Sequence, residues 1–220
     1  MLLKGGAKLS REFVDIFDDW IDSYEASVTG EDPEYRDVFE GYDNILNEVA
    51  SKAVGTVLEF GTGTGNLTAK LVKNGHNVIG FEPNSAMRQL TMDRFPSVEI
   101  KDGDLLIFET DGVPIDTIVS TYVFHHLTDI AKAEALKKYS ELLSTTGKVV
   151  FADTVFVTEE AKQAQIIKER SRGFHKVADD LEREYYTTLP VIMSLFIDAG
   201  FEVACKQLND YVWLIDATKN

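Results

Sequence analysis

The spacing of apolar residues changes period near Val54. Before it, Phe13, Ile16, Phe17, Trp20, Ile21 and Tyr24 recur at helical spacing and predict a helix over 11–27. Val38, Phe39, Tyr42, Ile45, Leu46 and Val49 predict a second helix over 35–53, and the breaker cluster Thr29-Gly30-Glu31-Asp32-Pro33 separates the two. From Val54 onward, short β-prone runs alternate with helical stretches. Strands are predicted at 56–60, 77–82, 98–101, 115–120 and 148–153, with helices reaching about 73, running from 85 to near 95, and covering 130–143. Strands separated by helices of this length indicate a parallel sheet with right-handed crossovers. The alternation pauses at 158–186, a charged helical stretch without a strand, which reads as an insertion or lid. A helix over 189–199 is closed by Gly200. The runs 201–208 and 211–217, joined by Asn209-Asp210, predict an antiparallel hairpin.

The first strand stops abruptly at Gly61-Thr62-Gly63-Thr64-Gly65-Asn66, after which Leu67 to Val72 resumes helical spacing. Glycine serves where backbone must take positive φ or lie close to a ligand. A helix start behind such a turn offers unpaired N–H groups. These features predict a nucleotide-type cofactor lying over the turn. The dinucleotide fingerprint G-x-G-x-x-G would need glycine at position 66, where Asn66 stands. Glu82 follows at the end of the second strand, placed to accept charge-assisted hydrogen bonds from both hydroxyls of a ribose. A nicotinamide-dependent oxidoreductase would use the same geometry, so Glu82 alone does not choose the cofactor. Asp102-Gly103-Asp104-Leu105 follows the third strand, and Ser120-Thr121-Tyr122-Val123-Phe124-His125-His126 the fourth, at the carboxyl end where ligands bind in such sheets.

The predicted fold class is α/β: a Rossmann-like three-layer sandwich. Its seven-stranded, mostly parallel sheet carries an antiparallel C-terminal hairpin strand, with N-terminal helices and a helical lid insertion. The expected organisation is a single domain over 1–220. It comprises a helical cap at 1–53, a cofactor-binding core at 54–155, a lid at 156–188, and a closing helix and hairpin at 189–220.

Charge narrows the partner. Lys and Arg number 22 against 37 Asp and Glu, a net charge of −15 that repels a polyanion. Nucleic acid is disfavoured, and a small neutral or cationic molecule is the expected partner. No run is apolar and long enough to span a bilayer, and the N-terminus lacks a signal-peptide pattern, so a cytoplasmic location without membrane contact is expected. Cys205 is the single cysteine, which leaves no disulfide framework. No H-E-x-x-H, C-x-x-C or comparable spacing is present, and no metal ligand is assigned. The oligomeric state is not legible at this level.

Glu59-Phe60-Gly61-Thr62-Gly63-Thr64-Gly65, together with five parallel strands closed by a hairpin, resembles the class I S-adenosylmethionine-dependent methyltransferases. The whole chain is similar to the uncharacterised bacterial YrrT-type methyltransferases through Phe39-x-Gly41-Tyr42-Asp43-x-Ile45-Leu46, Gly63 to Leu71, Phe124 to Asp129, Phe151 to Phe156 and Asn209-Asp210-x-Val212-Trp213. The resemblance implies S-adenosylmethionine as cofactor, S-adenosylhomocysteine as product, and in-line transfer of the methyl group to a small-molecule acceptor. It places Glu59, Gly61, Thr62, Gly63, Gly65, Glu82, Pro83 and Ser120 on the cofactor. Asp104 would meet the adenine amino group (Asp102 being the alternative), with Leu105 and Leu106 against the ring. Phe17-Asp18-Asp19-Trp20 and Tyr24 resemble an opening in which the tyrosine approaches the methionine moiety. His125, His126 and Asp153 are the candidates for a catalytic base. Arg172, Phe174 and His175, beside Gly173, are candidates for a lid contact to the acceptor. A nicotinamide-dependent oxidoreductase and a non-catalytic cofactor-binding regulator are the alternatives in other functional classes.

Overall fold

The computed structural model describes residues 26–220. The helix predicted over 11–27, with Trp20 and Tyr24, therefore lies outside the described residues, apart from its last residues. The second predicted helix is shorter than its apolar stripe: α1 spans only Tyr42–Lys52. Gly41 precedes it in a left-handed conformation at φ 73, and residues 35–41 form successive turns instead. Tyr35 and Phe39 are nevertheless buried, so their apolar spacing is satisfied by a coiled turn.

Strands and helices then alternate as β1 (Thr56–Phe60), α2 (Asn66–Lys73), β2 (Asn77–Phe81), α3 (Ser85–Arg94), β3 (Glu99–Lys101), β4 (Ile115–Thr121), α4 (Asp129–Leu142) and β5 (Leu143–Thr154). β5 starts five residues earlier than predicted, because Leu143 pairs with Ile115 across a register shift before regular pairing begins at Lys148. The insertion consists of α5 (Glu159–Ser171) and α6 (His175–Arg183), followed by α7 (Leu189–Asp198), β6 (Phe201–Gln207) and β7 (Val212–Lys219).

The seven strands form one sheet in the order β3-β2-β1-β4-β5-β7-β6. Only β7 runs against its neighbours: it pairs antiparallel to β5 and to β6. Successive residues of a strand face opposite sides, and here both sides are covered. Val57, Val119, Val150 and Ala152 pack with α1, α2, α5 and α6. Leu58, Phe60, Ile118, Val149 and Phe151 pack with α4 and α7. A sheet buried on both faces reads as nearly continuous apolar runs, which is why the strands of the core were plain in the sequence.

The chain builds outward from β1 to β3, then returns to lay β4 on the other side of β1. The crevice at that reversal, above the carboxyl ends of β1 and β4, is where open α/β sheets bind ligands. Ser120 Oγ donates to the Phe60 carbonyl at 3.0 Å and fastens the two strands there. Tyr139 on α4, fully buried, donates through its hydroxyl to the Leu105 carbonyl at 2.7 Å and anchors the loop after β3. Tyr139→Phe leaves that carbonyl without its buried donor, and a loss of about 1–3 kcal/mol in urea unfolding is expected.

Candidate functional site

A cleft of about 420 Å³ lies at the reversal, within the range of roughly 300–1,000 Å³ typical of small-molecule sites. Its floor comes from the loops after β1, β2, β3 and β4. Its roof comes from the turn around Tyr35 to Phe39 and from α6 with the residues that follow it.

The glycine turn meets two different demands. Gly61 has φ 68, and a Cβ there would lie 2.4 Å from Val123 Cγ2, so the loop after β4 packs on bare backbone. Gly63 has φ 53 and nothing within 4 Å of the equivalent position, leaving its backbone open toward the cleft. Gly63 N–H donates to Glu82 Oε2 at 2.8 Å, and Asn84 N–H to Glu82 Oε1 at 2.9 Å. One N–H on each oxygen leaves further lone pairs on both. Burial raises the Glu82 pKa, against the lowering effect of these two N–H groups. Pro83, Met87 and Leu105 complete this end of the cleft.

Asp104 lines the cleft and Asp102 does not: Asp102 is more than half exposed, beside Arg88 at 3.5 Å. Asp104 Oδ1 accepts from Leu106 N and Ile107 N at 2.9 Å each, which folds the loop into a compact turn and presents Leu105. Leu106 is not among the lining residues.

Several expected contacts sit beneath the cleft instead of on it. Glu59 is 1% exposed and accepts from Thr68 Oγ1 at 2.7 Å. Burial pushes its carboxyl up to about 8. Thr62, Gly65 and Ser120 also lie off the lining, Ser120 with its hydroxyl committed to Phe60. Their place is in shaping the turn. Arg172 is drawn away as well, paired with Asp37 at 2.6 Å and Glu169 at 3.0 Å and lying over the Phe174 ring. None of Arg172, Phe174 and His175 lines the cleft.

The other end of the cleft holds the histidines. His125 is 8% exposed, and Asp153 beneath it is 3% exposed. Asp153 Oδ1 lies 2.6 Å from His125 Nδ1, and its Oδ2 accepts from His125 N–H at 3.1 Å. The other ring nitrogen, Nε2, lies 3.1 Å from Glu184 Oε2. Burial opposes charge on His125, but the two carboxylates together outweigh it and the pKa rises to about 10. His126 stands edge-on to His125 with ring centroids 4.2 Å apart, and burial followed by the His125 charge pushes its pKa down to about 3. Asp153 does not reach the cleft, so it serves as the partner that orients His125, not as a base for an acceptor.

Glu184, which the sequence reading missed, joins the lid to this cluster. Tyr186 donates to its carboxylate at 2.7 Å and stacks on His125 at 4.6 Å. Tyr185 N–H donates to the His125 carbonyl, and the buried Lys132 ammonium to the Tyr185 carbonyl. Glu184 stands in the acidic run Asp179-Asp180-Leu181-Glu182-Arg183-Glu184, where composition does not separate a site residue from solvated neighbours. On the opposite wall the Tyr35 hydroxyl donates to Asp180 of α6. Tyr122, at the end of β4, has φ 57, uncommon for a bulky residue. The rings of Phe39 and Tyr42, 4.9 and 5.9 Å away, hold it.

A methyltransferase domain model matches residues 35–205, most of the chain. The chain belongs to the methyltransferase family. An uncharacterised methyltransferase of Geobacillus kaustophilus is 55% identical over 212 residues, covering 96% of this chain and 99% of its own. One of Anoxybacillus flavithermus is 51% identical over 211 residues, covering 96% and 100%. Among solved structures, the magnesium protoporphyrin IX methyltransferase of Synechocystis with bound S-adenosylmethionine superposes with a TM-score of 0.65 at 15% identity, over 94% of this chain and 97% of that one. A Pyrococcus horikoshii protein does so with a TM-score of 0.68 at 16% identity, over 92% and 99%. At such identities the two structures speak for the fold. Family membership sets aside the nicotinamide-dependent oxidoreductase. No helix among the described residues is long and apolar enough to cross a membrane.

Removing His125 leaves the buried Asp153 carboxylate without its cationic partner. His125→Ala is expected to cost about 3–5 kcal/mol in urea unfolding. Glu184→Gln, which leaves the Asp153–His125 contacts in place, should cost clearly less. Equal losses in the two variants would contradict this ordering.

Proposed function

We propose that this methyltransferase takes its methyl group from S-adenosylmethionine and passes it to a small-molecule acceptor by in-line displacement, releasing S-adenosylhomocysteine. The observation that carries the reading is the junction of Gly63 and Glu82 in one cleft wall. There, open backbone meets a carboxylate with lone pairs to spare, and Asp104 and Leu105 lie farther along the same cleft. The residues present fit the group: Glu82 suits a ribose, Leu105 a flat apolar ring, and the bare Gly63 backbone the amino-acid end. A neighbour of the same fold was solved with S-adenosylmethionine bound.

The cofactor supplies an electrophilic sulfonium methyl, and the protein's part is placement and exclusion of water. Tyr122, Phe39 and Tyr186 give the acceptor end an aromatic wall, and α6 roofs it. His125 has both ring nitrogens engaged by carboxylates and serves the architecture, not the abstraction of a proton. His126 is the remaining cleft-facing histidine. The cleft's size and the net charge of −15 favour a small molecule over a nucleic acid as acceptor.

Titration calorimetry with S-adenosylmethionine, S-adenosylhomocysteine and NAD tests the cofactor, and preference for NAD would end this reading. Glu82→Ala is expected to weaken binding of the two sulfur compounds by tenfold or more while the unfolding midpoint is kept. Unchanged affinity would remove Glu82 from the site. Binding without transfer to any component of a small-metabolite extract would favour a non-catalytic regulator.

A further inference from the structure

Three side chains from two distant parts of the chain converge on one point of the cleft wall: His125 and His126 from the loop after β4, and Glu184 from the end of α6. One ligand-type atom from each lies within 4.8 Å of the other two. All three residues line the cleft. Metal–ligand bonds of roughly 2.1 Å place neighbouring ligand atoms about 3.0–3.4 Å apart in tetrahedral or octahedral sites. The 3.1 Å between His125 Nε2 and Glu184 Oε2 already matches that edge. Side-chain rotation of His126 or Glu184 by little more than an ångström brings in the third.

The surroundings match a metal centre in a second, independent respect. A metal-ligating histidine almost always gives its other ring N–H to a carboxylate, which fixes the tautomer and ring orientation. Asp153 does this to His125, at 2.6 Å from Nδ1, and its other oxygen accepts from the His125 backbone N–H at 3.1 Å. The ring is therefore aimed with Nε2 toward the cleft. Tyr186 steadies two of the three ligands at once, stacking on the His125 ring and donating to Glu184 at 2.7 Å. The far nitrogen of the same ring meets a second carboxylate, Glu184, at 3.1 Å, so both nitrogens are directed by acids at the cleft wall.

We propose that His125, His126 and Glu184 form a binding site for one divalent transition-metal ion of the zinc type, with Asp153 as the outer carboxylate and at least one coordination position open to the cleft. Two imidazoles and one carboxylate suit borderline ions such as Zn²⁺, Co²⁺ and Fe²⁺ better than Mg²⁺ or Ca²⁺, which prefer oxygen ligands throughout. Coordination uses the neutral His125 imidazole, its Nδ1–H retained on Asp153, and any proton on Nε2 passes to solvent. The open position faces the aromatic wall formed by Tyr122 and Tyr186. On the methyl-transfer reading, which this step rests on, that position holds the oxygen or sulfur of the acceptor and lowers its pKa.

Chelator-treated full-length protein, titrated with Co²⁺, tests the site without any turnover. Visible d–d bands that saturate at one ion per chain and are displaced by Zn²⁺ are expected. His126→Asn and Glu184→Gln should each weaken Co²⁺ binding by tenfold or more, with far-ultraviolet circular dichroism showing that both variants are folded. Asp153→Asn should weaken it by about 10–100-fold through loss of the oriented tautomer. No saturable binding below about 100 µM Co²⁺, roughly the weak limit for a three-ligand site, overturns the proposal. So does binding that His126→Asn and Glu184→Gln leave unchanged. Calorimetry with S-adenosylmethionine on the same metal-free samples separates the two readings: cofactor binding without metal binding overturns only the metal site, and metal binding without cofactor binding overturns only the methyl-donor reading.

Discussion

A carboxylate buried at the end of β5 has to be compensated, and the histidine end of the cleft follows from how that is done. Asp153 is 3% exposed, where an unpaired charge costs several kcal/mol. The loop after β4 answers with the His125 ring and its backbone N–H, which sets the course of that loop. His125 then draws Glu184, and Glu184 with the Tyr185 N–H fixes where the chain leaves α6. Beside their apolar packing, the inserted helices are tied to the core by a polar chain that starts at one acid, with Lys132 on the Tyr185 carbonyl closing the connection from α4. Ile166 of α5 and Val177, Ala178 and Leu181 of α6 pack on the core beside this polar path.

The end of the cleft at Gly63 and Glu82 depends on a different constraint. The sheet reverses its direction of growth between β1 and β4, and the carboxyl ends of both strands are free to carry loops. Ser120 on Phe60, Tyr139 on Leu105 and Thr68 on Glu59 hold those loops from below. The polar groups nearest the ligand space are thus mostly the supports of a surface, with Glu82 and the open Gly63 backbone left to meet what enters.

Elements driven by local pattern were legible from the chain alone. The core strands were apolar throughout because both sheet faces are covered, and the hairpin was marked by Asn209-Asp210 between two β-prone runs. The glycine turn, Glu82 and Asp104 were also legible, since each follows a strand at a fixed place in the topology. What escaped was long-range. The stripe from Val38 to Val49 has one helical period, yet Gly41 breaks it, and tertiary burial of Tyr35 and Phe39 uses the same spacing without a helix. Asp153 stood at a strand end like a site residue, but its direction is set by His125, which sequence does not convey. Glu184 carried no signal at all amid four charged neighbours, and its meaning comes only from the fold of the inserted helices onto the core.

The contact between Gly61 and Val123 joins these two halves. Val123 packs where a Cβ of residue 61 would stand, and it is adjacent to Tyr122, whose left-handed backbone turns the aromatic wall into the cleft. The glycine turn after β1 and the loop after β4 therefore meet through the Val123 side chain on bare Gly61 backbone, with no room for a Cβ between them. A larger residue at position 123 would press on the Gly61 backbone, so on the methyl-transfer reading the two ends of the cleft are not altered independently at that point.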